Sequence, residues 1–331
     1  MIDNKQMNSA VVTVKPITIT GATKAQALPE AHSQLYEFWS RFRRHRMAVI
    51  GMALFGFLIL MAILGPLIIP EPKVDPDTMF AMKDNPPSLA HPFGTNVNGK
   101  DVLGLVVHGA RISLFLSTFA MLVACILGTL VGIVAGYFGK WTDMILMRIT
   151  DIFLSIPLIF VLLMASRFLV SPPPPGGTGG VITEGAEIRS LLILPAIIGL
   201  LTWTHVARLV RSVTLSVKEQ EFVTGARSIG AKNVRIMFRH ILPNVINPVV
   251  VAGTLLIGGN IVLESFLSFL GYGIQPPLSS WGTSLADAQN EFVNGNWWWA
   301  FFPGFFILLT VLSVNFIGDG LRDALDPRSK C

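Results

Sequence analysis

Glu221-Phe-Val-Thr-Gly-Ala-Arg-Ser-Ile-Gly230-Ala-Lys-Asn-Val-Arg-Ile-Met-Phe-Arg-His-Ile241-Leu-Pro-Asn244 is a basic, amphipathic segment lodged between two long apolar stretches. A connection that only turned the chain round could be far shorter. Val223, Ala226 and Ile229, then Val234, Met237, Phe238 and Ile241, recur at three- and four-residue spacing. That spacing predicts about two short helices sharing one apolar face. The flanking apolar stretches place the face outside a bilayer, where it has no obvious partner in water and suits another protein.

The surrounding composition supports a membrane setting. Of 331 residues, 52% are hydrophobic and 14% charged, and the mean hydropathy is +0.60. A soluble domain carries roughly 25% charged residues. Residues 47–70, 112–139, 190–207, 240–263 and 292–318 contain no Asp, Glu, Lys or Arg. A bilayer core of about 30 Å takes about 20 helical residues, so each run spans alone or with slight extension. A sixth run, 152–166, is short between Asp151 and Arg167 and needs snorkelling ends. The chain is therefore expected to be an all-α polytopic membrane protein with six transmembrane helices. The uncharged stretch 265–286 reads as a loop, because Gly271, Gly273, Pro276, Pro277 and Gly282 break it.

Orientation follows from the basic residues of the connections. With the N-terminus inside, 19 of the 25 Lys and Arg residues fall in 1–46, 140–148, 208–239 and 322–330. Lys73, Lys83, Lys100, Arg111, Arg167 and Arg189 fall outside. Both termini are expected in the cytoplasm. The net charge of +5 reflects this bias and accompanies no aromatic-basic module, so no nucleic-acid partner is expected. Cys125 lies in an apolar span and Cys331 on the inner side, which argues against a disulfide. The first 30 residues are polar and mixed, and the first apolar stretch is expected to be a retained helix rather than a signal segment.

The organisation expected is a tail and interfacial helix over 1–46, a first transmembrane helix over 47–70 and an outer loop over 71–110. A core domain over 111–331 holds the other five spans and the segment 211–243. Residues 1–34 read as a disordered tail. Phe38, Trp39 and Phe42 between Arg41, Arg43, Arg44 and Arg46 suit a headgroup-level helix, or ordinary positive-inside flanking. Gly128, Gly132 and Gly136 let helix backbones approach, within the chain or with a partner subunit. Arg148 and Asp151 stand three apart and are expected to pair. Trp297, Trp298, Trp299, Phe301 and Phe302 read as an aromatic belt. Glu264 is the one acid in an apolar span, either facing a pathway with Ser265 and Ser268 or hydrogen-bonded to a neighbouring helix. Ser171-Pro-Pro-Pro-Pro-Gly-Gly-Thr-Gly-Gly180 is a stiff-then-floppy linker without assigned function.

The segment quoted first resembles the cytoplasmic coupling loop, the EAA motif, of bacterial ABC importer permeases. In that register the Glu-Ala-Ala triplet falls on Thr224-Gly225-Ala226, the glycine on Gly230 and the Leu-Pro end on Leu242-Pro243. Thr224 replaces the acid and His240 the usual isoleucine. Further segments narrow the resemblance to the C-type permease of oligopeptide, dipeptide and nickel importers. They are Pro87-Ser88 and His91, Gly94-Thr-Asn96, Gly99-Lys-Asp-Val102, Gly109-Ala-Arg-Ile-Ser-Leu114, Glu264-Ser-Phe-Leu-Ser-Phe-Leu-Gly271-Tyr-Gly273, Gln275-Pro-Pro277, Ser280-Trp-Gly282 and Asp326-Pro-Arg328.

The resemblance implies a type I ABC importer permease fold. Glu221, Thr224, Gly225, Ala226, Arg227, Gly230, Ala231, Leu242 and Pro243 are implied to couple to an ATPase. Implied partners are a B-type permease in a heterodimer, two ABC ATPase subunits or a homodimer of one, an extracytoplasmic solute-binding protein and membrane lipids, in a bacterial inner membrane. The 70–110 region would sit near the binding protein or act as a plug. ATP and Mg2+ would belong to the ATPase. The chain itself has no phosphate loop, zinc helix or nucleophile elbow, so no catalytic residue, cofactor or metal site is expected in it. Peptides are the expected cargo by resemblance, with nickel chelates, glutathione and sugars as alternatives. An ion-coupled secondary transporter would want paired half-helices or several buried acids. A membrane anchor or scaffold would not need a basic amphipathic loop in this register.

Overall fold

A computed structural model of the chain describes residues 34–72, 79–169, 186–289, 291 and 294–325. Most of the expected N-terminal tail, the 171–180 run and Asp326-Pro-Arg328 lie outside these residues. The described chain is helical, with one isolated β-bridge between Thr95 and Asp101.

Helices α1 (Gln34–Arg44) and α2 (Arg46–Ile68) meet at His45, whose Nδ1 accepts from the Ala48 amide at 3.2 Å and caps α2. Phe42 is buried against Ala48 and Ala324, so α1 is seated on the bundle. A single turn, α3 (Met79–Met82), leads to the long α4 (Val102–Phe138). At 37 residues α4 is about 55 Å long, more than a bilayer core needs. Then come α5 (Lys140–Ser155) and α6 (Leu158–Leu169), bent by 82°. Pro157 causes the break. Its ring forbids helical backbone at the preceding residue, and Ile156 is extended at φ −86°, ψ 129°.

Helix α7 (Ala186–Val217) precedes α8 (Glu221–Ser228), α9 (Asn233–Ile236), a π turn (Met237–Ile241) and α10 (Leu242–Phe269). The short α11 (Trp281–Asp287) and the long α12 (Trp298–Leu325) complete the described chain. Five of these segments are long and apolar enough to cross a membrane, and the bent α5–α6 pair makes a sixth span. The expected sixth helix over 152–166 thus straddles the break, its start in α5 and its remainder in α6. Alone, α6 covers about 18 Å.

Helices α4 and α7 form the centre. A Cβ on Gly128 would lie 2.6 Å from Val206 Cβ, one on Gly132 2.7 Å from the Ala207 carbonyl, and one on Gly136 2.7 Å from Thr214 Cβ. The glycine stripe therefore receives α7 of the same chain, not a partner. Helix α2 has only Ala48, Gly51, Leu58, Ala62 and Gly65 buried. This mostly small-residue stripe packs on α12 at Gly51, against Phe316, and on α4 at Gly65, against Val107, and the remaining apolar surface is left for lipid.

One end of the bundle, the α11 end, is heavily cross-tied. The Thr95 carbonyl accepts both Trp298 Nε1–H at 3.2 Å and Trp299 Nε1–H at 2.8 Å. Phe93 stacks on Phe302 with ring centroids 3.9 Å apart. Trp298 and Trp299 are thus buried clamps, and only Trp297 and Phe301 of the expected belt face outward. Asp101 caps α4 through the Leu103 amide and meets His91 Nδ1 at 3.0 Å. The 83–101 loop folds onto the bundle like a plug.

Candidate functional site

The segment 218–243 forms a small body at the opposite, α8 end. Lys218 Nζ donates to the Gly136 carbonyl at 3.1 Å, fixing the turn after α7 to the last turn of α4. Helix α8 closes with the Ala231 amide donating to the Ala226 carbonyl at 3.1 Å and the Gly230 amide to Arg227 at 3.0 Å. This is a Schellman closure, and it requires a left-handed residue just past the helix. Gly230 supplies it at φ +80°. A Cβ there would meet no atom within 4 Å, so in this chain alone backbone conformation, not space, demands the glycine.

Pro243 explains the π turn. A proline lacks its N–H and its ring collides with the carbonyl four residues earlier, here Arg239. Widening the preceding turn over Met237–Ile241 relieves that collision. Asn244 Nδ2 donates to the His240 carbonyl at 2.7 Å and occupies one of the carbonyls freed there. Leu242-Pro243 therefore sets how α9 joins α10.

The apolar face expected to await a partner is divided. Val223, Ala226, Met237 and Ile241 are buried in a common core with Ile133, Tyr137, Val206, Val210 and Val217. They anchor the segment to its own bundle. Ile229 and Val234 instead face water at 86% and 62% exposure, with Phe222 and Phe238 roughly half exposed. Arg227, Lys232, Arg235 and Arg239 are exposed around them. Of the expected coupling residues, Glu221, Thr224, Gly225, Arg227, Gly230 and Pro243 are exposed, Ala231 and Leu242 are half-buried, and Ala226 is buried as packing. Thr224 contributes no charge to this surface.

Two supports escaped the sequence reading. The Tyr137 hydroxyl donates to Asn233 Oδ1 at 2.8 Å, and the Arg227 guanidinium lies 5.6 Å from the same ring centroid. One aromatic at the end of α4 thereby orients both α8 and α9. Its place beside Phe138 at the end of an apolar run was the only signal in the sequence. Phe222 was also missed, although it stands four residues before Ala226.

The bent helix is held to α7 by two ion pairs. Arg211 makes a two-pronged contact with Asp143, its NH2 group 2.6 Å from Oδ2. Arg208 meets Asp151 at 2.6 Å. The expected Arg148–Asp151 pair is replaced by this cross-helix one, since α7 brings its arginine to the face that Asp151 presents.

Glu264 is wholly buried. Ser268 Oγ and Ser280 Oγ each donate to its Oε1 at 2.7 Å. Ser280 also caps α11, so the carboxylate ties α10 to that short helix. Trp281 follows, its amide donating to Ser113 Oγ at 3.1 Å and its indole N–H to the Val106 carbonyl at 2.8 Å. Glu264, Ser265 and Ser268 are thus buried inside this chain, with Glu264 tied through Ser280 to the start of α11. Among the described residues no cluster of three or more His, Cys, Asp or Glu side chains could hold a metal.

A multi-pass helical bundle with a packed, basic, two-helix body between two of its spans has the form of a membrane permease subunit. A sequence profile described as binding-protein-dependent transport system inner membrane component matches residues 128–330, and one described as the N-terminal TM domain of oligopeptide transport permease C matches residues 33–88. The chain belongs to the family of binding-protein-dependent transport system inner membrane components. It is 38% identical over 294 residues to the dipeptide transport system permease protein of Alkalihalophilus pseudofirmus, covering 89% of this chain and 90% of that one. Identity is 36% over 296 residues to the Bacillus subtilis dipeptide transport system permease protein, covering 89% and 86%. Identity is 38% over 293 residues to the oligopeptide transport system permease protein of Haemophilus influenzae, covering 88% and 87%.

Proposed function

We propose that this chain is a C-type permease subunit of an ATP-driven peptide importer in a bacterial cytoplasmic membrane, with both termini in the cytoplasm. The α8 end then faces the cytoplasm and the α11 end the outside. The observation that carries the mechanism is the exposed apolar patch of Ile229 and Val234 inside a basic rim, on a body whose other face is anchored in the bundle. An ATPase surface that takes up this patch would displace α8 and α9. Their shared core with α4 and α7, and the continuous passage into α10, would carry the displacement into the spans. Binding energy at the ATPase nucleotides, with ATP and Mg2+ held there, is thus spent on a conformational equilibrium here. No chemistry on the cargo is assigned to this chain.

The remaining partners of the reading are a related B-type permease, paired side by side so that the pathway lies between the two chains, and an extracytoplasmic solute-binding protein. The relatives' names support peptides as cargo. An ion-coupled mechanism gains nothing from Glu264, which is clamped by serines. The test is copurification with the ATPase together with thiol crosslinking from Ile229→Cys and Val234→Cys. Crosslinks to the ATPase that change with ATP are expected. Crosslinks confined to the membrane domain would overturn the coupling assignment, and a transport-competent complex containing this permease alone would overturn the heterodimer.

A further inference from the structure

A cleft of about 480 Å3 opens near the α8 end between α7, α10 and α12. Leu209, Val251 and Leu255 form its apolar body, and Asn247, Asp319 and Arg322 supply its polar groups. The volume falls within the range of small-molecule pockets. Asp319 and Arg322 are exposed into it, and among the described residues neither has an ion-pair partner. The neighbouring acid, Asp323, is instead 3.6 Å from His45.

Spacing identifies what the pair fits. Side chains three apart on a helix have Cβ atoms about 5–6 Å apart. Two extended residues span at most about 7 Å from one terminus to the other. A free dipeptide can therefore set its ammonium against Asp319 and its carboxylate against Arg322 at once. The same cleft offers Leu209, Val251 and Leu255 to its side chains and Asn247 to its amide. A longer peptide satisfies only one charge at a time, and a neutral solute neither.

We infer that this cleft is a binding site for the zwitterion of a short peptide on the cytoplasmic half of the pathway, read by Asp319 at the amino end and Arg322 at the carboxyl end. The inference rests on the permease reading above and assigns its cargo-contacting residues.

The test uses the complete permease–ATPase complex in lipid nanodiscs, without the solute-binding protein. Binding of Leu-Leu, its N-acetyl derivative and its C-terminal amide is measured by equilibrium dialysis. Wild type is expected to prefer free Leu-Leu at least tenfold over either blocked form. Arg322→Gln should abolish discrimination against the amide while keeping that against the acetyl form, and Asp319→Asn should do the reverse. Equal binding of all three peptides by wild type, or unchanged discrimination in both variants, overturns the site. Size-exclusion profile and ATPase activity establish that the variants assemble. ATP-driven uptake is measured separately, with the same complex in proteoliposomes supplied with the solute-binding protein; its absence would instead overturn the permease reading, so the two failures are distinguishable.

Discussion

Gly230 permits backbone conformation and partner contact to be separated in one experiment. Its φ of +80° closes α8, yet a Cβ at this position would meet nothing within 4 Å. An L-residue forced into the left-handed region costs roughly 1–2 kcal/mol, which multiplies the opened population of the α8 closure about 5- to 30-fold. Gly230→Ala should therefore speed hydrogen exchange at the Gly230-position and Ala231 amides by about that factor, the amides that close the helix. Asn tolerates the left-handed region better than Ala, so Gly230→Asn should exchange more slowly than Gly230→Ala. Gly230→Glu adds bulk and charge on the face turned away from the bundle. It should remain in the membrane with its ATPase partner and hydrolyse ATP with little uptake. The assay is exchange of residues 221–236 beside uptake and hydrolysis in the same vesicles. Unchanged exchange in Gly230→Ala would refute the account of the closure, and near-normal uptake in Gly230→Glu would refute partner contact at this point.

Glu264→Ala should lower the melting temperature of the detergent-solubilised complex, because it leaves the Ser268 and Ser280 hydroxyls buried without their acceptor, at about 1–3 kcal/mol each. Glu264→Gln should keep most of the stability, whereas a fully stable but transport-dead Ala variant would return the residue to the pathway. Asp143→Arg or Arg211→Asp should each weaken the α5–α7 contact by about 1–2 kcal/mol, discounted for partial exposure, and the double swap should restore vesicle uptake. Asp84 is held above the usual carboxylate range, by burial first and then by Glu291, against an opposing Lys83. Its favourable contribution is therefore present below about pH 4 and lost as pH rises through the higher folded value. Amides of the 83–101 loop should accordingly be better protected in acid, and Asp84→Asn should remove that dependence.

The spans were legible because crossing a bilayer imposes a length and an absence of charge that a single chain displays. The two short helices of 221–236 were legible for a similar reason, since helical spacing outside the apolar runs needs explanation. What escaped depends on neighbours distant in sequence. Nothing local tells Asp151 to choose Arg208 over Arg148, because α7 must first pack into the α4 glycine stripe. Trp298 and Trp299 have the composition of a lipid belt, and only the Thr95 carbonyl from the far loop turns them inward. The apolar stripe of 223–241 looked single because periodicity shows that residues share a face, not that the Gly230 turn points Ile229 and Val234 away from Val223 and Ile241.

The Thr95 carbonyl with its two indole donors has a mechanical consequence. It joins the loop leading into α4 to the first turn of α12, while Ser280 and Trp281 join α4, α10 and α11 beside it. The chain is built like forceps riveted at the α11 end, and in the proposed complex α8 and α9 at the opposite tips would receive the load. Spreading within the chain therefore happens at the tips. In the proposed heterodimer, an opening at the α11 end would come from this chain and its partner tilting apart as whole bodies, with the rivets intact.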